Sequence, residues 1–269
     1  MTLPIATLLS TMLAASVRIG VFGLFHPQEL EIRPATGQVL EVSSSTGTQV
    51  LEGARSLRVT GTAKASGRAG SDATFILSVP GKIQREYRGR LEVRTRGGSL
   101  DAIVEMDREI AVASIVGAEA PDAPIEAQKA QAVVTRSFLA ASRARHNGFD
   151  FCDTTHCQFL REPPASSSAP ARATNATREL ALNYQGRPFA AFYSGNCGGR
   201  TQTPQDAGWG PEPYPYFAVE CPVRGVVSGH RVGYCQRGAM EMARRGSLFR
   251  EILAHYFPAT EIIGLDAPQ

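Results

Sequence analysis

Lysine is nearly missing from this chain: Lys64, Lys82 and Lys129 are the only three, and every other cationic side chain apart from histidine is arginine. Net charge is also scarce. Lys+Arg at 28 against Asp+Glu at 25 leaves +3, which excludes a dedicated nucleic-acid binder but leaves an anionic polymer open as substrate. No later apolar run reaches the length a membrane span needs. Residues 3–15 (LPIATLLSTMLAA) resemble the apolar part of a secretory signal, yet no Lys or Arg precedes Arg18. A signal segment over residues 1–16 and a buried first strand therefore stand side by side. Five cysteines in 269 residues are too few for a disulfide scaffold, and their odd number leaves one thiol unpaired or bound to something else. Gly at 26 and Pro at 17 fall short of a disordered or collagen-like composition. With 43% hydrophobic residues, the chain has enough apolar material for two domains or one elaborated domain.

What is there reads first as strand. Val17–Phe25, Glu29–Ile32 and the runs QVLEVSSS, SLRVTGTA and TFILSV between Gln38 and Val79 are β-rich and separated by Gly and Ser turns. YRGRLEV from Tyr87 and SLDAIVEM from Ser99 continue the pattern. The period then changes. Asp107 suits the N-cap of a helix carrying Ile110, Ser114 and Ile115, with Gly117 as its stop. A second helix is expected from Ile125, after Asp122 and Pro124, until Asn147 and Gly148 end it. Residues 162–176 (EPPASSSAPARATNA) read as a surface loop, and helices are expected over Ala239–Arg245 and Ser247–Tyr256.

Four blocks in order carry the functional signal: IVGAEAPDAPIEAQKAQAVVTRSF (115–138), FDFCDTTHCQ (149–158), AAFYSGNCGGRT (190–201) and GHRVGYCQRGAMEMARRG (229–246) followed by ILAHYFPATEI. Together they resemble the stage II sporulation protein D (SpoIID) family over about residues 87–265. The resemblance implies a peptidoglycan lytic transglycosylase acting on glycan strands stripped of stem peptides. Relatives of the same domain include amidase enhancers, so the alternative is a noncatalytic cell-wall binding module that stimulates an N-acetylmuramyl amidase. Peptidoglycan strands, and in that alternative a cell-wall amidase, are the partners implied; the location implied is exported, periplasmic or cell-wall associated.

The chemistry needs few residues. An ordinary glycosidase uses two carboxylates, whereas in a lytic transglycosylase the sugar's own 6-hydroxyl attacks, so one glutamate serves first as acid and then as base. Glu119, between Gly117 and Pro121 on what reads as a short linker, matches the family's catalytic Glu. A hydrolase would require a second carboxylate, with Glu126 and Asp206 the nearest choices. Lys129 and Arg136 lie seven residues apart, two turns along one helix face. The resemblance makes them cations for the lactyl carboxylates of stripped glycan; the alternative is a solvated face on which Glu126 pairs with Lys129.

His146, Cys152, His156 and Cys157 mix imidazole and thiolate in the number that fills a tetrahedral zinc site. From the residues alone, a Cys152–Cys157 disulfide or two free thiols competes evenly. The resemblance favours Zn, with Asp150 and Asp153 as partners of the histidines. Tyr193 and Ser194 precede a Gly-rich turn and, with His230, are expected to contact glycan. Arg231 stands where the family commonly has glycine. Trp209 suits sugar stacking and hydrophobic anchoring equally. Two of Cys197, Cys221 and Cys235 form a disulfide if the chain is exported, and all three are core thiols otherwise. The whole reads as α+β, with a β-rich N-terminal portion (17–95) and a mixed catalytic core (96–269) whose active cleft lies at the two-helix junction.

Overall fold

The computed structural model describes residues 16–265; the expected signal segment falls outside them except for Ser16. Alternating burial marks the strands of a large curled sheet, close to a barrel, whose inward side chains include Val17, Ile32, Leu40, Phe75, Tyr87 and Val93. Its strands are β1 (Ser16–Val21), β2 (Leu30–Pro34), β3 (Val39–Ser44), β4 (Gly47–Glu52), β5 (Leu57–Val59), β6 (Ala63–Ser66), β7 (Ala73–Val79), β8 (Ile83–Arg96), β9 (Ser99–Asp107) and, beyond two helices, β10 (Phe151–Cys152). The main path runs β10-β1-β9-β8-β6-β3-β4, with β2 joining β5 and β7. The long β8 pairs with β7 along its first half and with β9 along its second. Gly89, at φ 147°, is where it turns from one to the other. A Cβ at this position would strike the Glu105 carbonyl oxygen, so only glycine lets β8 pass this close to β9. The sheet continues through residue 96, because β8 and β9 pair from Arg90↔Glu105 to Arg96↔Ser99.

The chain leaves β9 directly into α1 (Arg108–Glu119), where the Asp107 carboxylate accepts the N–H groups of Glu109 and Ile110 at 2.8 and 3.2 Å. Gly117 does not stop this helix. It lies inside the last turn, and the stop is Pro121, which has no N–H to continue the ladder. Helix α2 (Ile125–Ala141) starts where expected but ends at Ser142, about a turn before Asn147. The stretch read as a loop holds α3 (Ala169–Ala176), capped by Ser168, with Pro170 in its first turn. Thereafter come β11 (Leu180–Tyr184), β12 (Arg187–Pro188), β13 (Tyr193–Ser194), β14 (Tyr234–Cys235), α4 (Gln236–Arg244), α5 (Phe249–Tyr256) and β15 (Glu261–Gly264). The last two helices confirm the expected positions within three residues at the N-terminal end. A second core of Leu182, Phe189, Tyr214, Tyr216, Tyr234 and Phe257 packs beneath α2, α4 and α5. The architecture is α+β and rich in strand.

Candidate functional site

The site is built at the end of α1. Gln128, fully buried on α2, donates its amide to the carbonyls of Ala120 and Pro121 at 2.9 and 3.0 Å, capping a helix end that proline leaves open. Glu119, the last residue of α1, is thereby fixed at the helix terminus rather than on a free linker. Strands β13 and β14 pair in parallel, Tyr193 opposite Tyr234 and Ser194 opposite Cys235, which brings Tyr193 beside Gln236 at the start of α4. Both reach the carboxylate: the Tyr193 hydroxyl lies 3.1 Å from Glu119 Oε1, and Gln236 Nε2 donates to Oε2 at 3.2 Å.

Tyr193 has a second oxygen partner, Gln158 Oε1 at 2.7 Å, but only one proton to give. When Glu119 is ionised, the phenol can donate to it. When Glu119 is protonated, its O–H can donate to the phenol, which then donates to Gln158. The same three side chains therefore accommodate the carboxyl with and without its proton. Burial and the adjacent Glu119 push the Tyr193 pKa well above its ordinary value, so the phenol keeps its proton throughout.

These groups line a cleft of about 650 Å³ whose other walls include Phe138, Arg145, His156, Cys157, Trp209, Glu212 and His230. Ser194 lines it too, its buried hydroxyl without a hydrogen-bond partner among the described residues. His230 Nδ1 accepts the Val232 N–H at 3.1 Å, and burial lowers the ring's pKa, partly offset by the Tyr193 backbone, so the imidazole stays neutral at neutral pH. Trp209 lies against His230 and Phe192, with centroid separations of 4.8 and 5.2 Å, which gives the cleft an aromatic wall. Arg231 takes the left-handed φ of 62° that glycine would adopt easily, and its guanidinium donates to the carbonyls of Cys197 and Arg200.

Arg136 is not in the cleft. It is fully buried between helices, its guanidinium bidentate on Glu109 at 2.6 and 2.7 Å and also on the Leu180 carbonyl at 2.8 Å, so it has no donors for a ligand. Lys129 pairs with Glu126 at 2.6 Å and does not line the cleft either. Glu126 also accepts the Phe249 N–H at 2.9 Å, while Asp206 caps the turn at Thr203; neither carboxylate faces Glu119 across the cleft. Besides Glu119, the charged residues that line it are ones sequence reasoning missed: Arg145, and Glu212, whose carboxyl burial pushes above its ordinary pKa with partial relief from Arg145. Gln158 and Gln236 were missed as well, since neutral amides carry no chemical signature at sequence level.

His146, Cys152, His156 and Cys157 converge at one edge of the cleft, their ligand atoms all within 4.8 Å of one another. His146 Nε2 is 3.2 Å from Cys157 Sγ, and His156 Nδ1 is 3.5 and 3.6 Å from the sulfurs of Cys157 and Cys152. Bond lengths of about 2.0 and 2.3 Å around tetrahedral zinc put N and S about 3.6 Å apart, so the donor set and its spacing fit a metal ion of that size. The sulfurs are not bonded to each other. A hydrogen bond from the Cys157 thiol holds Cys152 well below the ordinary thiol range, while that same contact pushes Cys157 up. Asp150 and Asp153 do not orient the histidines. Asp150 accepts the Arg18 and Ala144 N–H groups, and Asp153 accepts from Arg85 and Phe22.

Residues 96–184 match the family model described as Stage II sporulation protein, SpoIID, a window that holds Glu119 and all four residues of the His/Cys cluster. An uncharacterized protein of Brachyspira hyodysenteriae (strain ATCC 49526 / WA1) is 29% identical over 146 residues, covering 53% of this chain and 37% of that protein. The chain thus spans little more than a third of that relative's length. The SpoIID match is centred on the helix pair that builds the cleft and covers about a third of the chain, so that segment is similar to the SpoIID family.

Proposed function

We propose that the chain is a peptidoglycan lytic transglycosylase acting on glycan strands stripped of their stem peptides. The observation that carries this reading is Glu119 held in the cleft by partners that tolerate both of its protonation states. In the first half of the reaction the Glu119 carboxyl protonates the leaving glycosidic oxygen as the bond to the anomeric carbon breaks. In the second half the resulting carboxylate takes the proton of the muramyl 6-hydroxyl as that oxygen closes onto the same carbon. One proton leaves Glu119 and one returns; no water is consumed, and the product ends in a 1,6-anhydro ring. Trp209 and the Ser194 hydroxyl offer the strand a stacking face and a hydrogen bond.

The cation for the lactyl carboxylate is Arg145, which replaces Lys129 and Arg136 in that part. A charged hydrogen bond is worth about 1.5 to 3 kcal/mol, so Arg145→Ala weakens binding of stripped strands about tenfold or more, an effect that shrinks with added salt. Titration of stripped strands at two salt concentrations measures it, and unchanged binding removes Arg145 from the site.

The residues of the His/Cys cluster fit Zn²⁺, whose four protein ligands would make it a structural tie; when bound it supplies a fixed shape to the segment that ends in Gln158. Cys152→Ser/Cys157→Ser is expected to lose about one equivalent of zinc by elemental analysis and to lower cleavage through a misplaced Gln158. Unchanged zinc content in that variant contradicts the assignment. Export to the cell wall belongs to the same reading; among the described residues no helix is long and apolar enough to cross a membrane.

A hydrolase is the second reading, favoured by Glu212 as another carboxyl in the cleft. The substrate class is tested by comparing sacculi stripped by an amidase with untreated ones. Soluble sugar is expected from the stripped sacculi alone. Equal release from both contradicts the preference, and strand binding without release leaves the amidase-stimulating module.

A further inference from the structure

All five cysteines of the chain fall into two groups, and the second has no part in the cleft: Cys197, Cys221 and Cys235, every one buried, with their sulfurs within 4.8 Å of one another. They lie on three separate segments. Cys197 is near the start of a stretch, residues 195–233, that contains no helix and no paired strand beyond isolated bridges such as Asn196↔Ser228 and Arg200↔Glu220. Cys221 lies within it, and Cys235 lies just past its end. This stretch delivers Trp209, Glu212 and His230 to the cleft, so an irregular segment of this length must be pinned by something other than a hydrogen-bond ladder.

The surroundings are those of a metal thiolate. The Cys197 and Gly238 N–H groups donate to Cys235 Sγ at 3.4 and 3.5 Å, and that sulfur caps the N-terminus of α4, where the helix dipole favours negative charge. The Tyr256 hydroxyl is 3.4 Å from Cys221 Sγ, within hydrogen-bond reach of that sulfur. A Cβ at residue 238 would overlap both that hydroxyl and Cys221 Sγ, so the backbone of α4 is pressed against the sulfurs and glycine is required. Sulfurs on a tetrahedral ion at about 2.3 Å stand about 3.8 Å apart, within the span of the three. A disulfide between any two would strand the third thiol in the same pocket, and one that includes Cys235 would also give the two N–H donors a poorer acceptor.

We propose that Cys197, Cys221 and Cys235 bind a second, structural metal ion, a thiophilic d¹⁰ cation of the Zn²⁺ or Cu⁺ class, that ties the 195–233 stretch to α4. The test uses the full chain in reducing buffer. Cys152→Ser/Cys157→Ser, with the first cluster disabled, is expected to retain about one metal equivalent, and Cys197→Ser/Cys235→Ser added to it is expected to lose that equivalent. Because the last variant can fail to fold, a second measurement uses the wild-type chain loaded with Cd²⁺: thiolate-to-metal absorbance corresponding to five sulfurs supports the second site, and absorbance corresponding to two overturns it. Failure of the Cys152→Ser/Cys157→Ser chain to hold or take up Zn²⁺, Cd²⁺ or Cu⁺ also overturns it, as does a disulfide between two of the three found by peptide mapping in that buffer.

Discussion

Glu119→Gln lowers glycan cleavage by about 10²- to 10⁴-fold, the usual cost of removing a proton-transfer group. The substitution keeps the size and planarity of the side chain, and its amide still bonds with Tyr193 and Gln236, so folding and strand binding are expected to persist. The loss therefore appears in kcat with KM little changed, as for an interaction made in the transition state. Steady-state rates on stripped glycan, with strand binding measured on the same preparation, check this. Full activity in the folded Gln variant contradicts the acid and base role and favours a binding module.

Arg136→Ala is expected to destabilise the fold by about 3 to 5 kcal/mol, because it leaves Glu109 buried and without its bidentate partner. At the usual conversion for a chain of this size the melting temperature falls by roughly 6 to 20 °C. Thermal melts of Arg136→Ala and of the paired Glu109→Leu/Arg136→Met variant separate the causes. The paired variant removes both charges and is expected to recover most of the loss, since apolar replacement of a buried ion pair is often neutral. A stable Arg136→Ala protein with weakened strand binding would instead restore the cation to the groove.

Local signals were legible where one residue type decides the backbone. Asp107 capped α1 as its side chain allows, Pro124 opened α2, and alternating apolar residues marked β3, β7 and β9. Gly117 misled because glycine ends a helix only where it takes a left-handed φ, and here it does not; Pro121 carried the real stop. The α3 helix was hidden by the Pro- and Ser-rich run before it, although Ser168 followed by Pro170 and alanines was a readable start. Two turns of spacing put Lys129 and Arg136 on one face of α2, but not what covers each end of that face: α1, α3 and β11 bury Arg136. The His/Cys cluster was readable because its members lie within twelve residues. Arg145, Gln158, Glu212 and Gln236 reach the cleft through contacts far apart in sequence, which no local pattern encodes.

The most direct measurement of the central claim is the mass of the products that the purified chain releases from amidase-stripped glycan. Direct attack by the muramyl 6-hydroxyl, with Glu119 shuttling one proton, gives fragments with anhydro-muramyl ends, lighter by one water than hydrolytic fragments, and gives none with Glu119→Gln. Hydrated reducing ends would contradict the transglycosylase account and point to hydrolysis with Glu212 as the second carboxyl, and intact strands would contradict catalysis altogether.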